Sequence, residues 1–210
     1  MQKGTEKSVP FAEEHMNNKS RYFVAAGALV LIITFFVPLW SIDLNAPQYP
    51  EGLGLRIWLN EIGGLKPNDL QSINGLNHYI GMQVINPDDI PELKIMPYII
   101  VFMILFGLIN AYLKKKQLVY IWILLFLILG AVGLYDFYMW EYNYGHQLNP
   151  DAPIKVPGMT YQPPLIGSKQ LLNINAVSLP SIGTVVILIS IILNVTALYL
   201  EKRKLKNETN

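Results

Sequence analysis

Unbroken apolar runs alternate with two long mixed stretches along this chain. Four runs, residues 22–40, 97–113, 118–139 and 179–200, each approach the roughly 20 residues that a helix needs to cross a bilayer. Segments such as IIVFMILFGLI and VVILISIIL carry no polar face, as expected of helices surrounded by lipid and by one another. The first run does not read as a cleaved signal peptide, because 21 residues precede it and VPLWS follows it in place of a small-residue cleavage site. Only KKKQ, residues 114–117, separates the second and third runs, which makes them a tight hairpin. The pattern predicts an all-α membrane protein: four transmembrane helices arranged as two hairpins, with a 1–21 tail before the first and a 201–210 tail after the last.

The mixed stretches, 41–96 and 140–178, make up nearly half of the chain. Loops of this length without structure are uncommon unless they are functional or disordered, and the recurrence of Leu, Ile, Trp and Tyr argues against disorder. In the first, the prolines of DLNAPQYPEG favour extended chain. A short amphipathic segment with Leu53, Leu55, Ile57, Trp58, Leu59 and Ile62 ends at Gly63-Gly64. Pro67-Asn68-Asp69 then starts a helix that places Leu70, Ile73, Leu76 and Ile80 on one face, with Asn74, His78 and Met82 roughly opposite. The second stretch is turn-rich through WEYNYGHQLNP and PGMTYQPPLIG. Together the two are expected to form a largely helical or irregular domain.

Charge orients the chain. Eleven of the sixteen Lys and Arg residues fall in the two tails and the lysine turn, giving that side a net +6 against −5 for the two long stretches together with Asp136. The excess of Lys and Arg on the cytoplasmic side of membrane proteins places both termini in the cytoplasm and both stretches outside. The overall net charge of +1 offers no basis for a nucleic-acid partner. Apolar residues at 52% and charged residues at 15% fit a chain in contact with lipid.

The absence of cysteine excludes disulfides and thiolate metal sites, leaving seven Met and three His as soft or borderline ligands. His78 and Met82 are spaced i, i+4 and would meet on one helix face. With Met159 or His146 from the second stretch, they form a candidate site for copper, since thioether selects Cu(I) and imidazole accepts either oxidation state. The plainer reading makes Met82 a packing residue and His78 a hydrogen-bonding one. Asp136, near the outer end of the third run, would reach water or pair with Arg56. Nucleotide-binding, zinc-protease and serine-hydrolase motifs are all absent, so the residues support no catalytic site and no enzyme.

Several segments are specific in another way. DLNAPQYPEGL, LNHYIGM, IKVPGMTYQPPLIG and LLNINAVSLP resemble a family of small four-span bacterial inner-membrane proteins encoded with Sec-exported (clade II) nitrous oxide reductase and its maturation proteins. The resemblance runs from about Tyr22 to Tyr199. It implies a place beside the maturation of that periplasmic copper enzyme, or its copper or electron supply, with the reductase, its ABC transporter and its copper chaperone as partners besides the lipid bilayer. Of the matching positions, His78, Met82 and Met159 can ligate copper. Two alternatives stand beside this: a metal-free docking platform that recruits the reductase or the transporter, with Tyr49 and Tyr161 on its surface, and a quinol-linked redox anchor.

Overall fold

A computed structural model describes residues 15–208; the tail residues before His15, including Lys3, Lys7, Glu6, Glu13 and Glu14, lie outside it. Its elements are α1 (Asn18–Val30), β1 (Trp40–Ala46), β2 (Tyr49–Ile57), β3 (Ile62–Gly64), α2 (Asp69–Ile80), α3 (Glu92–Leu113), α4 (Lys116–His146), β4 (Gly167–Leu171), β5 (Ile174–Pro180) and α5 (Ile182–Glu208). Three helices, α3, α4 and α5 up to Arg203, are long and apolar enough to cross a membrane. Their outward faces expose Phe102, Leu105, Leu124, Ile128, Leu188 and Ile192, a surface that suits lipid rather than water.

The chain is mixed α/β, which corrects the expected all-α, four-span class. The first apolar run is not a fourth long helix. Its α-helix ends at Val30 after 13 residues, about 20 Å of rise against a hydrocarbon core of roughly 30 Å. The following Leu31–Phe35 turn is tightened to a 3-10 helix. There β-branched Ile32, Ile33 and Thr34 lose side-chain freedom in an α-helix, and the Thr34 hydroxyl donates back to the Leu31 carbonyl at 2.7 Å. What α1 lacks in length it makes up in burial against α5: a Cβ at Gly27 would lie 2.5 Å from the Asn194 amide, and Ser190 Oγ donates to the Gly27 carbonyl. The amide of Asn194, buried beside Gly27, donates to the Ser190 carbonyl of its own helix.

The two long stretches, expected as largely helical or irregular chain, join in a five-stranded antiparallel sheet in the order β3-β2-β1-β5-β4. β1 is central, with Ile42 opposite Leu55 on one side and Ser178 on the other, and Leu44 opposite Leu53 and Ala176. These rows share the sheet's inner face, since side chains alternate along a strand. Trp40 seals its membrane end, donating from Nε1 to Ser178 Oγ at 2.8 Å, and Ser178 Oγ donates to the Leu165 carbonyl. Arg56 pairs with Asp43 across β1 and β2 at 2.8 Å and not with Asp136, which is exposed.

α2 lies over the inner face as its apolar period predicts, with Ile73 buried and Leu70 and Leu76 packed beside it. Asp69 ties it down: buried, it accepts from the backbone N–H groups of Gly54 and Lys66 at 3.0 and 3.1 Å. Asp69→Ala would strand both donors and is expected to cost about 2 kcal/mol. Chemical denaturation in detergent would measure this, and Asp69→Asn should recover part of the loss.

Candidate functional site

The site begins with the length of α4. Thirty-one residues rise about 46 Å, well beyond a hydrocarbon core of roughly 30 Å. A core of that thickness takes up about twenty residues of α4, so the last turns extend past it, alongside the sheet. Phe137, Trp140, Glu141 and Tyr144 are spaced i, i+3, i+4 and i+7 and so share one face. That face meets the sheet: the rings of Trp40 and Phe137 lie 5.4 Å apart edge to face, and those of Trp140 and Tyr144 lie 4.5 Å apart. Glu141 is the single acid on this apolar stripe.

Between the inner face of the sheet (Ile42, Leu44, Leu55), α2 (Ile73, Leu76, Ile80) and α4 lies a cavity of about 70 Å³ whose walls are almost wholly apolar. The segment after α4 closes it. Tyr161 N–H donates to the Gly145 carbonyl at 2.9 Å, which seats Tyr161 across the cavity with its side chain only 2% exposed. Gly145 permits this contact because any Cβ there would strike the backbone of Gln162.

Three side chains of this apolar space carry polar atoms without partners: Glu141, Tyr161 and, through its indole N–H, Trp140. Glu141 is 1% exposed, and neither carboxylate oxygen meets a donor; the Tyr161 hydroxyl is likewise unpaired. Burial, with no compensating charge nearby, pushes the Glu141 carboxyl up to about 8, so it is mostly protonated at neutral pH. The remaining polar groups of the wall are engaged. The Asn77 amide donates to the Gln83 carbonyl and the Tyr144 hydroxyl to the Val84 carbonyl. The Trp140 indole N–H faces the Tyr144 hydroxyl, outside hydrogen-bond geometry. An unpaired buried carboxyl is costly, and such groups concentrate at functional sites.

The residues expected to hold copper have different surroundings. α2 stops at Ile80, and Gly81 takes a left-handed conformation with φ +81°. The Gly81 N–H donates to His78 O, and the Met82 N–H to Asn77 O. This pair of bonds ends the helix and reverses the chain. Met82 therefore leaves the helix face that holds His78 and turns into the cavity wall, while His78 is exposed. His146 stacks on Tyr142 at 3.9 Å, its Nδ1 within 2.9 Å of the Tyr142 carbonyl. Met159 is half-buried and lines neither the cavity nor the cleft beside it. Among the described residues no three His, Cys, Asp or Glu side chains are grouped to hold a metal. Tyr161, expected at the surface, is buried, and Tyr49 is half-buried.

Glu141 was missed in the sequence because WEYNYGH reads as the start of a loop. The available signal was the helical period of Phe137, Trp140 and Tyr144 continuing past Met139, with an acid inside it. A comparison with protein-family models finds no match to this chain, and neither does one with curated proteins.

Proposed function

We propose that this chain is a membrane-anchored accessory subunit whose outer domain docks a periplasmic partner in the assembly or supply of a copper enzyme of the nitrous oxide reductase type. The observation that carries the reading is the sheet itself: β1 pairs with both β2 and β5, so two stretches separated by the α3–α4 hairpin form one platform fixed to the helices beneath it. The sequence resemblance supplies the partner class. The excess of Lys and Arg around the tails and the lysine turn supports a bacterial inner-membrane location with both termini cytoplasmic and the sheet outside.

Docking is preferred to copper ligation because His78 and Met82 point to different surroundings across the end of α2. The test is genetic. Deletion of the gene in a bacterium that respires nitrous oxide should remove most reductase activity while the reductase polypeptide is still exported. Wild type and His78→Ala/Met82→Leu should restore it equally. An unimpaired deletion strain would end the proposal; failure of the double variant alone, with stoichiometric Cu(I) on the purified wild type, would replace docking by copper delivery.

A further inference from the structure

A second opening adjoins the cavity. A surface cleft of about 210 Å³, lined by Leu148, Pro150, Ala152, Ile154 and Val156, shares Ile80 and Tyr161 with the cavity wall. Only these two side chains are common to both, so Tyr161 stands between solvent and Glu141. The inner chamber is too apolar for water alone. A buried water needs two to four polar partners, and the Glu141 carboxyl, the Tyr161 hydroxyl and the Trp140 indole N–H could serve one water, while most of the remaining wall is Ile, Leu, Met and Pro side chains. A cationic ligand fits poorly as well, because a buried ion pair needs further hydrogen bonds to offset its desolvation, and these walls offer few.

What matches is a molecule with an apolar body and one oxygen. A protonated carboxyl and a phenol can both donate to a carbonyl oxygen, and Glu141 lies near the C-terminal end of the long apolar helix α4. We propose that cavity and cleft together form a binding site for a neutral, lipophilic carbonyl compound, its oxygen held by Glu141 and Tyr161 and its chain lying among Ile42, Leu76 and Ile80. The site is independent of the docking role. Besides Glu141, the titratable groups lining the cavity are Tyr144 and Tyr161, and Lys155 lines the cleft; no Lys, Arg, His or Asp from β1, β2, α2 or the β4–β5 hairpin lines either.

The experiment is equilibrium dialysis of radiolabelled 2-octanone, octane and octylamine against the full chain in lipid nanodiscs, with empty nanodiscs as the blank. One saturable 2-octanone site per chain is expected at about pH 6, weaker by about tenfold at about pH 9, where Glu141 is ionised and no longer donates. Glu141→Gln keeps a donor and should bind equally at both pH values. Glu141→Leu/Tyr161→Phe, with unchanged near-UV circular dichroism, should bind at least about tenfold more weakly. Tighter binding of octylamine, equal binding of octane, or no saturable ketone binding to wild type would overturn the assignment without recourse to any variant.

Discussion

Raising the pH from about 4.5 to about 8 is expected to destabilise the sheet domain steadily, and Glu141→Gln is expected to abolish most of that slope. In the unfolded chain Glu141 ionises near 4.5, whereas in the folded chain burial holds it protonated to about 8. Between these values the folded state binds one more proton than the unfolded state, so stability falls as pH rises, by roughly 1.4 kcal/mol per unit at most. The contribution is fully present below the lower value and lost once pH passes the higher one, on the order of a few kcal/mol in total. Burial raises Tyr144, also in the cavity wall, above the usual tyrosine range, so it does not contribute in this window. Glu141→Leu should in addition stabilise the protein at neutral pH by about 1–2 kcal/mol, since it replaces an unpaired polar group with an apolar one. Thermal unfolding followed by near-UV circular dichroism across this range would read both effects. Parallel curves for wild type and Glu141→Gln would contradict the account of the cavity.

Gly145→Ala should be the most damaging single methyl in the outer domain. The added Cβ would meet the Gln162 backbone, and backbone cannot swing aside as a long side chain does. Either the last turn of α4 tilts or the segment carrying Tyr161 lifts, breaking the bond from Tyr161 N–H to the Gly145 carbonyl and opening the cavity. Overpacking of this kind costs about 1–3 kcal/mol, and the lost hydrogen bond about 1 more. Gly133→Ala on the same helix is the control, because its Cβ would meet nothing within 4 Å; its stability should be unchanged or slightly raised. Limited proteolysis between residues 147 and 166, together with the unfolding midpoint, would distinguish the two variants. Equal behaviour would show that the seat of Tyr161 is not where we place it.

Much of the helical frame was legible because it depends on local pattern. The runs that became α3, α4 and α5 are visible as composition, and the face of α2 follows from a period of 3.6. The sheet depends on pairing at long range. Leu53, Leu55 and Ile57 alternate as a strand should, and so do residues of INAVSLP, yet nothing in either segment states that Asp43 will lie opposite Val177. Reading the prolines of DLNAPQYPEG as extended chain was compatible with strands, but extended chain is not a sheet until its partner is known. The first apolar run misled for another reason: hydropathy counts Ile32, Ile33 and Thr34 as favourable to a span, while their branching at Cβ disfavours the α-helix the span would need.

The surroundings of the candidate residues turn on single positions. An i, i+4 rule joins His78 to Met82 only while the helix lasts, and Gly81 ends it one residue before Met82. The acid that the fold buries, Glu141, has an ordinary neighbourhood in sequence, and it becomes unusual only once α4 is seen to continue beneath the sheet. Tyr161 reaches the same chamber from a turn-rich segment that carries no period at all.

Cross-linking from the platform tests the central claim most directly. A photo-reactive amino acid would be placed at Tyr79, exposed on the outer domain, and separately at Tyr112, exposed at the opposite end of α3, in cells that also make the reductase, its transporter and its copper chaperone. The account predicts a cross-link from position 79 to one of these three proteins and none of them from position 112. Cross-links to the same partner from both positions, or from position 112 alone, would contradict an outer docking platform.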